Sequence, residues 1–276
     1  MIDKEVVVAS RMYPFSYNFS LLVFPGGSSI ASNERCNEYS FGVRGKLFAE
    51  AKNFLIVPGD NEWNECCTYD EDSNTDVGRR NWRNTFALDP AFQLNEDFPP
   101  TQGFAGGSSP TLLRNGNNED ENPEMYAFVH NKVLVVGINR VARESWLSDN
   151  SGESPDRNAK WMDENLDLDE NCNLESTVII AQTDLKSSFY DELEDYFVRC
   201  GRKIPALVIT GNDHPSTYCF EGPKSDYLFE MVVEAFRSGP LHVSVVRDPS
   251  GESEMGDFFH VEDTQLDDSN SNCPFD

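Results

Sequence analysis

Short runs of β-branched and large apolar residues alternate with amphipathic stretches along most of the chain, the pattern of an α/β protein. Lys4 to Ala9, Phe19 to Phe24, Phe54 to Val57, Thr177 to Ala181 and Ala206 to Thr210 read as strands. Turn chemistry closes three of them, at Pro25-Gly26-Gly27, Pro58-Gly59 and Gly211. Tyr126 to Val129 and Lys132 to Ile138 read as a hairpin turning at His130-Asn131. Glu34 to Lys52 reads as a helix with Phe41, Leu47, Phe48 and Ala51 near one face, although Gly42 and Gly45 lower its propensity. Arg79 to Leu88 carries Trp82 and Phe86 at i and i+4, and Asp156 to Leu166 follows a helix-starting Pro155. Ser187 to Cys200 places Phe189, Leu193, Tyr196 and Phe197 on one side and stops at Gly201. The stretch 226–237 suits helix or strand, and Leu241 to Val246 and Phe258 to Val261 close a β-rich end. One domain is expected over residues 1–262, interrupted by a long Pro-, Gly-, Ser- and Asn-rich loop at 89–123 and followed by an acidic, disordered tail at 263–276.

Charge changes this picture most. Forty-eight acidic and 22 basic residues give a formal charge of -26 over 276 residues. Such a surface repels nucleic acid and anionic lipid, so neither is an expected partner. It also repels phosphate, unless a metal ion or a local Arg/Lys cluster reverses the field. The one basic cluster near the Pro58 to Trp63 stretch is Arg79-Arg80 with Arg83. It can hold a phosphate, or pair with the acidic run just before it.

No stretch nears the ~18–20 apolar residues of a membrane span, and the first residues lack the pattern of an export signal. Both a cytoplasmic chain and a secreted one whose start lies upstream fit that reading, and the sequence points to no protein partner. The 7 cysteines include no CxxC pair. In an oxidising compartment Cys36 with Cys66 or Cys67 is the candidate bridge; in a reducing one all are ordinary thiols.

Three strand ends carry the candidate chemistry. They are Val57-Pro58-Gly59-Asp60-Asn61-Glu62-Trp63, Ala181-Gln182-Thr183-Asp184, and Thr210-Gly211-Asn212-Asp213-His214. In open α/β sheets ligands bind beyond the carboxyl ends of strands. A glycine just after a strand lets the backbone turn sharply and direct the next polar side chain into the crevice. Carboxylate, amide and imidazole groups converging there would suit a hard or borderline cation. The same residues also form ordinary turns with side-chain-to-backbone hydrogen bonds.

Pro58-Gly59-Asp60-Asn61-Glu62-Trp63 resembles the signature of a divergent branch of calcineurin-like metallophosphoesterases, whose ordinary members have Gly-Asn-His-Glu/Asp there. Glu124-Met125-Tyr126 with Lys132 to Asn139 is similar to the family's central hairpin. Gln182 stands where ordinary members place a metal-binding His, and Gly211-Asn212-Asp213-His214 where they have Gly-His-x-His. The resemblance implies a metallophosphatase-like four-layer αββα sandwich with two mixed β-sheets, its N-terminal part incomplete. It implies Asp60, Gln182, Asn212 and His214 as metal ligands, Asn61 and Glu62 as catalytic positions, and Arg79, Arg80 and Arg83 as phosphate contacts. The implied cofactor is a divalent ion (Mn, Fe, Zn or Mg), and the implied substrate a phosphoester or phosphorylated small molecule.

Two family positions differ. Ser10-Arg11-Met12-Tyr13-Pro14 follows the first strand where the family has Asp-x-His or Asp-x-Pro, and Gly27 occupies the place of the metal-bridging aspartate. Two functions are therefore expected. One is a metal-dependent phosphoester hydrolase, impaired by those changes. The other is a catalytically inactive phosphoesterase-fold scaffold or binding protein that has lost its N-terminal metal motifs.

Overall fold

The computed structural model describes residues 5–8, 22–24, 37–48, 54–59, 75–87, 124–130, 132–141, 158, 174–183, 185, 189–191, 193–195, 204–211, 219–225, 227–232, 241–245 and 259–263. These residues form a mixed α/β structure with two sheets. The first has five strands in the order β11-β10-β1-β2-β3: β1 (Glu5–Val8), β2 (Leu22–Phe24), β3 (Phe54–Ile56), β10 (Leu241–Val245) and β11 (Phe259–Asp263). Strands β1, β2 and β3 run parallel, while β10 is antiparallel to both β1 and β11. The second sheet has six strands in the order β4-β5-β6-β7-β9-β8: β4 (Tyr126–His130), β5 (Val133–Gly137), β6 (Ser176–Ile180), β7 (Ala206–Thr210), β8 (Cys219–Ser225) and β9 (Leu228–Val232). Its centre, β5-β6-β7-β9, is parallel, and antiparallel β4 and β8 form its edges.

Burial follows from this layout. Parallel strands are covered on both faces and read as unbroken apolar runs, and every residue of β5, β6, β7 and β9 is buried. One core joins Leu134, Val136, Ile179, Val208 and Leu228 of the sheet to Phe189 and Leu193, which lie on helical turns at 189–191 and 193–195. Phe229 of β9 meets Phe259 of β11 edge-on at 6.2 Å, a contact between the two sheets.

Local chemistry explains the helices. Asn37 caps α1 (Glu38–Phe48): its side-chain oxygen accepts from the Ser40 amide at 2.9 Å, so the helix begins at Glu38, later than the apolar pattern predicts. Gly45, a weak helix former, sits where α1 crosses the next helix; a Cβ there would come within 2.6 Å of the Thr85 methyl. That next helix, α2 (Thr75–Trp82), continues into a π-helical turn at Arg83–Ala87. Trp82 and Phe86 are fully buried with ring centroids 5.5 Å apart, as the i, i+4 spacing predicts, and Phe86 meets Phe41 of α1 at 6.2 Å.

Three expectations change. His130 is not in the hairpin turn but ends β4, opposite Val133. Lys132 has φ 65°, the left-handed backbone that short hairpins need. The ambiguous stretch 226–237 contains strand β9, and an edge strand, β8, precedes it. Asp263 belongs to β11 rather than to the expected tail. The loop 89–123, residues 264–276, and the expected helix Asp156–Leu166 apart from Asn158 lie outside the described residues. No helix among the described residues is long and apolar enough to cross a membrane.

Gly137 of β5 tests the packing beneath the hairpin. It pairs with Tyr126 of β4, and a Cβ at this position would overlap the Tyr126 ring. Gly137→Ala should lower stability by about 1–3 kcal/mol, because the ring is fully buried and has no free direction of retreat. Urea unfolding of the two proteins measures this; equal midpoints and slopes would contradict it.

Candidate functional site

The carboxyl ends of β5, β6 and β7 form a rim stitched by backbone hydrogen bonds. The Ile138 amide donates to the Ile180 carbonyl (2.9 Å), and the Ala181 amide to the Ile209 carbonyl (3.0 Å). Beyond the strands, the amides of Gln182 and Thr183 donate to the Arg140 carbonyl at 3.2 and 3.3 Å, and the Gly211 amide donates to the Gln182 carbonyl at 3.0 Å. Gln182 thus sits between the other two strand ends and is only 1% exposed. Its backbone is bonded to the residue immediately before Asn212. These bonds fix the backbone at and just beyond the strand ends, which suits a site that must keep its geometry.

A buried polar network supports one side of this rim. Glu124, just before β4, is completely buried. Because β4 runs antiparallel to β5, Glu124 lies at the same end as Asn139. Its carboxylate accepts two bonds from Arg83, from Nε at 3.0 Å and Nη2 at 3.1 Å, and a third from Asn139 Nδ2 at 2.8 Å. Asn158 Nδ2 donates to the Asn139 carbonyl at 3.2 Å. The Arg83 fork is bidentate, the strongest geometry for such a pair, and it fastens the π-helical turn to the strand ends. A carboxylate can only accept, so the Asn139 amide must turn its NH₂ toward Glu124.

The expected site residues divide accordingly. Gln182 lies on the rim, next to the chain that leads to Asn212. Asp60, Asn61, Glu62, Asn212 and His214 lie outside the described residues, as do Arg11 and Gly27. Val57, Pro58 and Gly59, which carry the chain from β3 to Asp60, are buried. On the helix, Arg79 stands one turn before Arg83 and is half-buried, whereas Arg80 is exposed. The Arg83 guanidinium is engaged with Glu124, a residue 41 positions away. That partner is invisible to a local reading, in which the nearest acids belong to the run preceding α2. Asn139, Arg140 and Asn158 also escaped sequence reasoning; the signal available for the first two was a polar pair directly after the apolar run that ends in Gly137-Ile138, and Asn158 carried none.

Among the described residues no group of three or more His, Cys, Asp or Glu side chains could hold a metal. The donors proposed by sequence are of another composition: one carboxylate, two amide oxygens and one imidazole. Such a set fits a cation of hard to borderline character, such as magnesium, manganese or iron, better than zinc.

No protein-family model matches the sequence, and no curated protein matches it. Among solved structures the chain is similar to a 5'-nucleotidase from Candida albicans SC5314, with 12% identity and a TM-score of 0.43. The likeness covers 87% of this chain and 42% of that one, so the chain spans less than half of that protein's length. Likeness of this degree assigns neither family nor activity.

Proposed function

We propose that the chain is a metal-dependent phosphoester hydrolase of the calcineurin-like type, acting on a phosphorylated small molecule. The fold in this reading is the four-layer αββα sandwich with two mixed sheets. The observation that carries it is the Pro58-Gly59-Asp60-Asn61-Glu62-Trp63 signature, which opens directly from the buried end of β3. Support comes also from the rim, where Gln182 is bonded to the backbone that leads into Asn212 and His214.

In this reading the Asp60 carboxylate, the Gln182 and Asn212 amide oxygens and the His214 imidazole hold a divalent cation, as manganese, iron, zinc or magnesium. When bound, the ion supplies Lewis acidity toward a phosphoryl oxygen. In this reading Asn61 and Glu62 would be the catalytic positions. The Asn61 amide does not titrate near neutral pH, so it orients by hydrogen bonding while Glu62 is the group able to move a proton. Arg79 and Arg80 offset phosphate charge against the chain's -26. Arg83 serves the anion indirectly, by holding α2 against the rim through Glu124.

A second reading is a scaffold of the same fold without turnover. Arg11 and Gly27 favour it, because the stretch around Arg11 lacks the aspartate of the family's first motif and Gly27 stands in place of the metal-bridging one. Turnover of an aryl phosphate by the purified chain, supplied in turn with each of the four metals, separates the two. The hydrolase reading expects metal-dependent release of the phenol. Its absence with all four metals favours the scaffold.

A further inference from the structure

We infer that Asn139 is a further oxygen ligand of the rim, its side-chain carbonyl placed to hold the divalent cation. This rests on the reading of the rim as a metal site, and it adds a donor that the sequence signature does not supply.

An unmet acceptor is the first ground. Buried polar atoms nearly always have hydrogen-bond partners, and one that lacks them points to a water, an ion or a catalytic role. Asn139 is 4% exposed, and its Oδ1 is closed to solvent and accepts no hydrogen bond. The hydroxyls of Ser176, Thr177 and Thr210 are alike in this. Ser176 and Thr177, however, begin β6, at the amino ends of the strands. Thr210 ends β7 on the same face as Val208, which packs in the core with Phe189 and Leu193. Asn139 follows the carboxyl end of β5 and immediately precedes Arg140, whose carbonyl accepts from the amides of Gln182 and Thr183. Asn139 and Gln182 therefore stand on adjacent strand ends.

Orientation is the second. Asn139 Nδ2 donates to Glu124 Oε1 at 2.8 Å, and a carboxylate only accepts, so Oδ1 is the amide atom turned away from Glu124. Donation to an anion draws electron density toward the amide oxygen and makes it a better donor to a cation. A ligand whose far side is held by a carboxylate is the usual arrangement around a bound metal. Glu124 is fixed in turn by the Arg83 fork at 3.0 and 3.1 Å, and the Asn139 carbonyl by Asn158 at 3.2 Å. The oxygen is thus set before any ion arrives, and binding costs little ordering. Chemistry is the third ground. An acceptor closed to bulk water suits a small cation better than a substrate group, and an amide oxygen repels phosphate. Magnesium and manganese prefer octahedral, oxygen-rich surroundings. The four donors proposed from the sequence fall short of that, and Asn139 adds an oxygen without adding charge.

The test is manganese binding by the purified full chain, read by titration calorimetry and by the thermal midpoint with and without the metal. Asn139→Ala should weaken manganese binding about ten- to a hundredfold. Asn139→Asp keeps an oxygen at the position but sets a second carboxylate beside Glu124. Its metal-free midpoint should fall below the parent's, and manganese should raise it by at least as much as it raises the parent's. If Asn139→Ala does not fold, the two midpoints of Asn139→Asp decide. A residue that only orients Glu124 would give a midpoint in Asn139→Asp that manganese does not raise, and that result overturns the inference. Manganese binding that is lost in Asp60→Ala and His214→Ala but unchanged in Asn139→Ala overturns it too, and leaves the metal reading standing. A parent that binds none of manganese, iron, zinc and magnesium overturns both.

Discussion

Glu124→Ala should lower the unfolding free energy by about 3–5 kcal/mol, the range found when one partner of a buried ion pair is removed. Glu124 is 0% exposed and accepts two bonds from Arg83 and one from Asn139. Its loss leaves a guanidinium only 23% exposed without that counter-charge and strips Asn139 of the acceptor that orients its amide. Arg83→Ala should cost a similar amount for the converse reason, since it leaves a fully buried carboxylate without the Arg83 counter-charge. Replacing both partners with apolar residues, Arg83→Met with Glu124→Leu, should be much less harmful than the sum of the single changes, because neither charge is then stranded. Urea unfolding followed by tryptophan fluorescence reads all four proteins, Trp82 being buried in the same helix as Arg83 begins to leave it. Single-variant losses below about 1 kcal/mol, the level of an exposed pair, would show that the network does not hold the rim.

The second large effect concerns turnover. Asp60→Ala and His214→Ala should each lower kcat/KM for an aryl phosphate by about a hundredfold or more. Lewis-acid stabilisation of a transferring phosphoryl group is worth several kcal/mol, and about 1.4 kcal/mol is tenfold in rate. The thermal midpoint should change little at the same time, because neither residue belongs to the continuous apolar runs that make the core. A fall in rate for one variant and none for the other would mean that the two residues do not serve a common ion. Arg79→Ala, by contrast, is expected to act chiefly on KM.

The parts of the fold that were legible in the sequence are those with one dominant physical demand. Strands β5, β6 and β7 are sealed on both faces, so they appear as unbroken runs such as Val133 to Val136 and Ala206 to Ile209. Strand β9 was ambiguous because its run contains Glu230, a buried carboxylate that accepts from the Tyr190 hydroxyl at 3.3 Å. Only the packed helical segment reveals that the glutamate has a partner there. Strand β8 was invisible for a different reason. It contains Gly222 and Pro223, which weaken any strand pattern, yet an edge strand tolerates both where the ladder is irregular, and the register does shift between Glu221 and Ser225. Gly45 looked like a flaw in a helix and proves to be a position where a Cβ would press on the Thr85 methyl.

At the candidate site, the strand ends at Gln182 and at Thr210-Gly211 were legible in the sequence because each follows a buried apolar run directly. The fate of Arg83 was hidden, since its partner is 41 residues away and nothing in the intervening chain announces the pairing. Asp60, Asn61, Glu62, Asn212 and His214 remain proposals carried by the signature and by the strand ends that lead to them.

Manganese binding to the parent, Asp60→Ala and His214→Ala proteins by isothermal titration calorimetry is the most direct test, since the two residues are 154 positions apart and can share an ion only if the strand ends converge. The expected result is near-stoichiometric binding by the parent and its loss in each single variant. Equal binding by all three proteins, or none by the parent, would contradict a common metal centre at these strand ends.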